Sequence, residues 1–147
     1  MDFLFLKGVY IVKKILGRVT EDIAIKNNIE EYANKRIVLY DNDRRHCQKR
    51  HAHEFKSIDD FNYVMDNLNV IINNPDYVFY VKNKNTLEYY KNFKCGITVR
   101  VRVEPGNELK VKTVFTVNEY KIKNRITSET YNKYVISEET AEQLIGN

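Results

Sequence analysis

All three histidines of the chain fall in one short segment, Arg44-Arg45-His46-Cys47-Gln48-Lys49-Arg50-His51-Ala52-His53-Glu54-Phe55. Histidine can both take and give a proton near neutral pH. RNA cleavage asks for that ability. A base removes the 2′-hydroxyl proton, the oxygen attacks phosphorus, and an acid protonates the leaving 5′-oxygen. Cations hold the charge that grows on the phosphoryl oxygens, and Arg44, Arg45, Lys49 and Arg50 stand beside the histidines. Helical geometry qualifies the reading. Five residues turn about 140° and seven about −20° on an ideal helix. His46 and His53 would then share a face, whereas His46 and His51 would not, unless the helix ends between them. The competing reading is a basic, solvated helix with incidental histidines. Metal binding fits poorly, because only the His51-Ala52-His53 spacing suits a metal.

A second concentration of cations lies later in the chain. From Lys82 to Arg125 eleven Lys and Arg stand against four acids (Glu88, Glu104, Glu108 and Glu119), a segregation that suits a polyanion partner. Ile97, Val99, Val101 and Val103 alternate with Thr98, Arg100, Arg102 and Glu104. Pro105-Gly106-Asn107 makes a turn, and Leu109 to Val117 alternates again, which predicts a β-hairpin. A turn centred on Gly106 sets Ile97 against Phe115 in the core. On the other face it sets Arg102 against Lys110 and Arg100 against Lys112. Like charges directly opposite destabilise a strand pair, so that face is expected to meet an anion such as a phosphate backbone.

The remaining elements must position these two groups. Gly8 to Lys14 reads as a short strand or an irregular lead-in. Thr20 caps a short helix to about Asn27, with acids in its first turn. Arg36–Tyr40 is apolar and β-branched, and reads as a strand. Asp41-Asn42-Asp43 breaks it ahead of a helix from about Asp43 to His51. Ser57 starts a helix whose stripe is Phe61, Val64, Leu68, Ile71 and Ile72, ended by Asn73-Asn74-Pro75. Tyr77–Val81 is a strand, Asn85–Phe93 a short helix or turn, and Ser137–Ile145 a last helix. Helices early and strands late predict an α+β fold, with N-terminal helices packed on a C-terminal antiparallel sheet of about four strands.

Length and composition bound these expectations. The chain has 147 residues, with 43% hydrophobic and 30% charged residues, which suits one globular domain. Net charge is +4, too modest to decide a partner alone. Cys47 and Cys95 form neither a disulfide framework nor a zinc pattern, and a reducing cytoplasm is expected. No apolar run approaches the roughly 20 residues of a membrane span. Many Lys, Asn, Ile and Tyr with no Trp suggest an AT-rich bacterial or phage genome.

The segment HCQKRHAHEF, a helix, NNPDYVFYVKNKNTLEYYKNF, then ITVRVRV and KVKTVFTV together resemble a known family over about Arg36 to Tyr120. It is the phage and mobile-element branch of the barnase/EndoU/colicin/RelE-like ribonuclease fold. The matching positions are His46 with His51, then Pro75, Asp76 and Val78, Glu88 with Lys91, Arg100 or Arg102, and Thr113 with Phe115. The resemblance implies helices on one side of a four-stranded antiparallel sheet, RNA on the other, and residues 121–147 as an extension. It implies a metal-independent endoribonuclease without cofactor, acting on host RNA such as tRNA, in the bacterial cytoplasm. His51 and then His46 would carry protons. Lys91 and Arg100 would stabilise phosphoryl oxygens, and Thr113 would orient them. Arg45, Lys49, Arg50, Arg102, Lys110, Lys112 and Thr116 would bind the nucleic acid. Phe115 stands where the family pattern has Tyr. The alternation puts Thr113 on the apolar face, with Thr98 and Thr116 as alternatives. A second expectation is a catalytically inactive binder on the same fold, directed at a host or CRISPR-type nuclease, with a protein as its partner.

Overall fold

A computed structural model describes residues 2–6, 9–93, 98–127 and 132–135, with the backbone alone for 2–6, 9–11, 119, 121, 125, 126 and 132–135. The strands are β1 (Asp2–Leu6), β2 (Val9–Arg18), β3 (Arg36–Tyr40), β4 (Tyr77–Val81), β5 (Thr86–Asn92), β6 (Thr98–Glu104), β7 (Leu109–Thr116) and β8 (Asn132–Val135). The helices are α1 (Glu21–Lys26), α2 (Asp41–His51), α3 (Ile58–Asp66), α4 (Leu68–Asn73) and α5 (Glu119–Thr127). The fold is α+β. Its sheet has the order β1-β2-β3-β7-β6-β5-β4-β8, a six-strand centre extended at the edges by β1 and β8.

This corrects the expectation of about four antiparallel strands late in the chain. Two strands from the first third, β2 and β3, enter the centre, and β3 runs parallel to β7 through Ile37–Leu109 and Val38–Lys110. The sheet is therefore mixed. A parallel neighbour needs a long connection, which here contains α2 to α4 and β4 to β6.

Capping explains two helix starts. The Thr20 side chain accepts from Ile23 N, and the Ser57 side chain accepts from Asp60 N. The helix expected from Ser57 to Ile72 is two helices, because Asn67 ends α3 and its backbone leads directly into α4. The segment expected as a helix or turn at Asn85–Phe93 is strand β5. Its residues from Thr86 to Tyr90 are all buried, so the sequence lacks the polar-apolar alternation of a half-exposed strand. The expected helix at Ser137–Ile145 lies outside the described residues, and Phe115, expected opposite Ile97 in the core, lies opposite Arg100 instead.

Alternation along the strands sorts the side chains into two groups. Leu87, Tyr89, Val99, Val101, Val103, Leu109, Val111 and Val114 join Ile37 and Leu39 in the main core. Phe61, Val64, Met65, Leu68, Ile71 and Ile72 from α3 and α4 belong to the same cluster. The other face carries a smaller cluster, in which Ile122 of α5 packs with Tyr77, Phe79 and Tyr90.

The hairpin register also differs from expectation. Arg100 lies opposite Phe115 and Arg102 opposite Thr113, and the register shifts between Arg102 and Val103. Val103 opposes Val111 while Arg102 opposes Thr113, so Lys112 is the extra residue of a β-bulge. The like-charge pairs Arg102–Lys110 and Arg100–Lys112 do not form. Lys110 instead faces Glu104, so the cross-strand repulsion expected on that face is absent.

Candidate active site

The bulge turns Thr113 and Phe115 to the face that carries Arg100 and Arg102. Two cross-strand rows result there. One runs Tyr77, Tyr90, Arg100, Phe115, and the other Phe79, Glu88, Arg102, Thr113. The first two members of each row are fixed by apolar packing or burial. The last two carry the cations, the hydroxyl and an aromatic ring.

Helix α2 follows β3 without a break and lies against β7. Cys47 is its buried anchor, with Sγ donating to the Lys112 carbonyl at 3.5 Å. Burial pushes the Cys47 thiol up to about 11, so it stays a neutral, inert packing group. The end of α2 reaches round to the two rows. The His51 ring stacks on Phe115 with centroids 5.4 Å apart and an interplanar angle of 27°. The Arg100 guanidinium carbon lies 3.9 Å from the centroid of the same ring. His51 Nδ1 meets the Glu54 carboxylate, from the 3₁₀ turn after α2.

Glu88 is buried beside both arginines, with Oε2 at 3.8 Å from Arg100 Nη1 and 4.0 Å from Arg102 Nε. The Tyr90 hydroxyl donates to Glu88 Oε1 at 2.9 Å and accepts from Arg100 Nη1 at 3.4 Å. Burial, reinforced by the Glu88 charge, pushes the Tyr90 hydroxyl up to about 12, so it remains protonated. Arg100 Nε, Arg102 Nε and Thr113 Oγ1 are buried and have no hydrogen-bond partner among the described residues. A buried donor left unpaired costs about 1–3 kcal/mol and calls for a partner, whether a water, an ion or a ligand; Thr86 Oγ1 and the Tyr89 hydroxyl, away from these rows, are likewise unpaired among the described residues.

The structure thus brings His51, Arg100, Arg102 and Thr113 together. Thr98, two residues from Arg100 on β6, lies on the same face, whereas Thr116 opposes the core residue Val99 and points to the other. Lys91 also opposes Val99, so it lies on the core face, paired with Asp76 at 3.6 Å. His46 is exposed on α2, about 140° around the helix from His51. Lys110 stands over the Tyr40 ring at 5.4 Å, and Lys112 pairs with Asp43 at 3.4 Å. Arg45 pairs with Asp41 at 2.8 Å, while Lys49 and Arg50 are exposed. Three members of the arrangement escaped the sequence reading in their actual roles. Glu54 stands three residues from His51, a spacing that could have flagged it. Phe115 and the Tyr90 hydroxyl required the true register.

An imidazole held by a carboxylate, two guanidiniums and a hydroxyl can move a proton and bind an anion. No three His, Cys, Asp or Glu side chains come together to hold a metal ion among the described residues, and no helix among them is long and apolar enough to cross a membrane. No curated protein and no solved structure matches the chain significantly. A family model described as phage-Barnase-EndoU-ColicinE5/D-RelE like nuclease 3 matches residues 13–124, a span that contains every residue of the two rows as well as His51 and Glu54. With well over half of its length matched, the chain belongs to that nuclease-like family.

Proposed function

We propose that the protein is a ribonuclease that cleaves RNA without a metal ion. The observation that carries the reading is the shared Phe115 ring, on which a proton-transfer group, His51, and a cation, Arg100, both rest. A site of this composition suits a substrate that brings its own nucleophile, and the RNA 2′-hydroxyl is such a group.

In this reading His51 takes the 2′-hydroxyl proton. O2′ attacks phosphorus, the P–O5′ bond breaks, and O5′ leaves with a proton from solvent. The products are a 2′,3′-cyclic phosphate and a 5′-hydroxyl. The Arg100 and Arg102 guanidiniums hold the charge on the phosphoryl oxygens, and Thr113 Oγ1 donates to one of them. Lys49 and Arg50 bind the flanking backbone.

The test is incubation of the purified chain with bacterial tRNA and rRNA in EDTA, beside His51→Ala. Discrete fragments that disappear in the variant support the reading. Cleavage abolished by EDTA, or unaffected by His51→Ala, contradicts it.

One observation favours a second reading, a binder without turnover. Glu88 already sits between Arg100 and Arg102, which a phosphate would have to share. Tight RNA or protein binding with intact RNA after hours would select that reading.

A further inference from the structure

Two contacts fix the His51 ring in different ways. Stacking on Phe115 sets the plane of the ring. The Glu54 carboxylate at Nδ1 sets its rotation within that plane. The contact lies at the surface, with His51 half-buried, and 21% of the His51 and 27% of the Glu54 side chain is open to solvent. An ionised carboxylate is an acceptor only. The ring nitrogen that faces it must therefore carry a hydrogen, and a neutral imidazole has only one.

We infer that Glu54 is a positioning residue, which holds His51 as its Nδ1–H tautomer and presents Nε2 as the basic nitrogen. This rests on the nuclease reading and adds a member to its machinery. When Nε2 takes the 2′-hydroxyl proton, Nδ1 keeps its own, and the Glu54 charge stabilises the imidazolium that forms. Glu54 gains and loses nothing covalently. Its placement follows from the chain, because the 3₁₀ turn Ala52–Glu54 continues directly from α2 and returns the carboxylate to the ring three residues before it.

The experiment combines ¹⁵N spectra of the histidine ring with kinetics on a single-stranded RNA oligonucleotide, for the wild-type chain and Glu54→Gln. The expected wild-type spectrum at a pH where His51 is neutral shows Nδ1 protonated and Nε2 bare. Glu54→Gln should lose that single tautomer. Its kcat should fall about 10²–10⁴-fold, the range for misplacing or inverting a catalytic imidazole, with KM changed less than about threefold, since ground-state binding is untouched. A wild-type His51 protonated at Nε2 with Nδ1 bare overturns the inference, as does Glu54→Gln with unchanged kcat. If the variant fails to fold, the wild-type spectrum decides alone. A wild-type chain that cleaves no RNA defeats the nuclease reading, and the spectrum still decides the tautomer.

Discussion

Phe115→Leu is the perturbation that probes the site most selectively. Leucine keeps most of the apolar bulk on β7 but removes the aromatic ring that both His51 and Arg100 contact. The Arg100 side chain is only 11% exposed, so its contact with the ring stands toward the desolvated end of cation–π interactions, about 1–2 kcal/mol. Loss of the stacked His51 ring adds about 0.5–1.5 kcal/mol. Together the fold should lose about 1.5–3.5 kcal/mol in urea titration, or roughly 3–14 °C in Tm for a chain of this size. Activity should fall further than stability predicts. Nothing then sets the plane of the imidazole, and a misplacement near 1 Å costs about 10²-fold in kcat. Both quantities are measured on one preparation, at a temperature where the variant is fully folded. A variant with wild-type stability and wild-type kcat would refute the claim that the ring organises the site.

Two further predictions concern charge. Lys49→Glu and Arg50→Glu should weaken RNA binding and flatten its salt dependence, each by about 0.7 in the slope of log K against log salt for a single strand. Arg45→Glu should do so less, because Arg45 is already paired with Asp41; equal effects at all three positions would contradict the distinction. The Lys13 ammonium, 2.8 Å from Glu108 Oε2, holds the Glu108 carboxyl below the usual carboxylate range, opposed by burial and helped by the Tyr40 hydroxyl. A depressed folded-state value means stability that is present above the unfolded value and lost as pH falls through the folded one. Glu108→Gln should therefore be less stable than wild type at neutral pH, by roughly 1.5–3 kcal/mol as for hydrogen bonds to charged groups. The difference should vanish in acid below the folded value. A constant difference across a urea-monitored pH series would show that the pair does not titrate as described.

Much of the fold could be read from local chemistry. The Thr20 and Ser57 caps, the strands at Arg36–Tyr40 and Tyr77–Val81, and the β6–β7 hairpin all announce themselves in residue type and period. What escaped depends on tertiary context. Strand β5 is buried on both faces, since Leu87 and Tyr89 enter the main core and Tyr90 enters the cluster with Ile122. Misreading β5 left Lys91 without a face, and as a strand residue it turns away from Arg100. The extra residue at Lys112 leaves no mark in the sequence, yet it moves Thr113 and Phe115 from the expected apolar face to the site. The joining of β3 to β7 is a contact between distant segments that no local pattern encodes. For the site, His51, Arg100, Arg102 and Thr113 were visible as residue types. Their common face, and the parts played by Glu54, Phe115 and the Tyr90 hydroxyl, were not.

The central claim is that RNA supplies its own nucleophile to a proton carrier at His51. It is tested most directly with an oligonucleotide cut at a defined linkage, in EDTA, with and without a 2′-deoxy substitution at the nucleotide on the 5′ side of the cut. The account predicts a 2′,3′-cyclic phosphate end from the all-RNA substrate and no cleavage at the substituted linkage. Cleavage that proceeds at the 2′-deoxy position would contradict it.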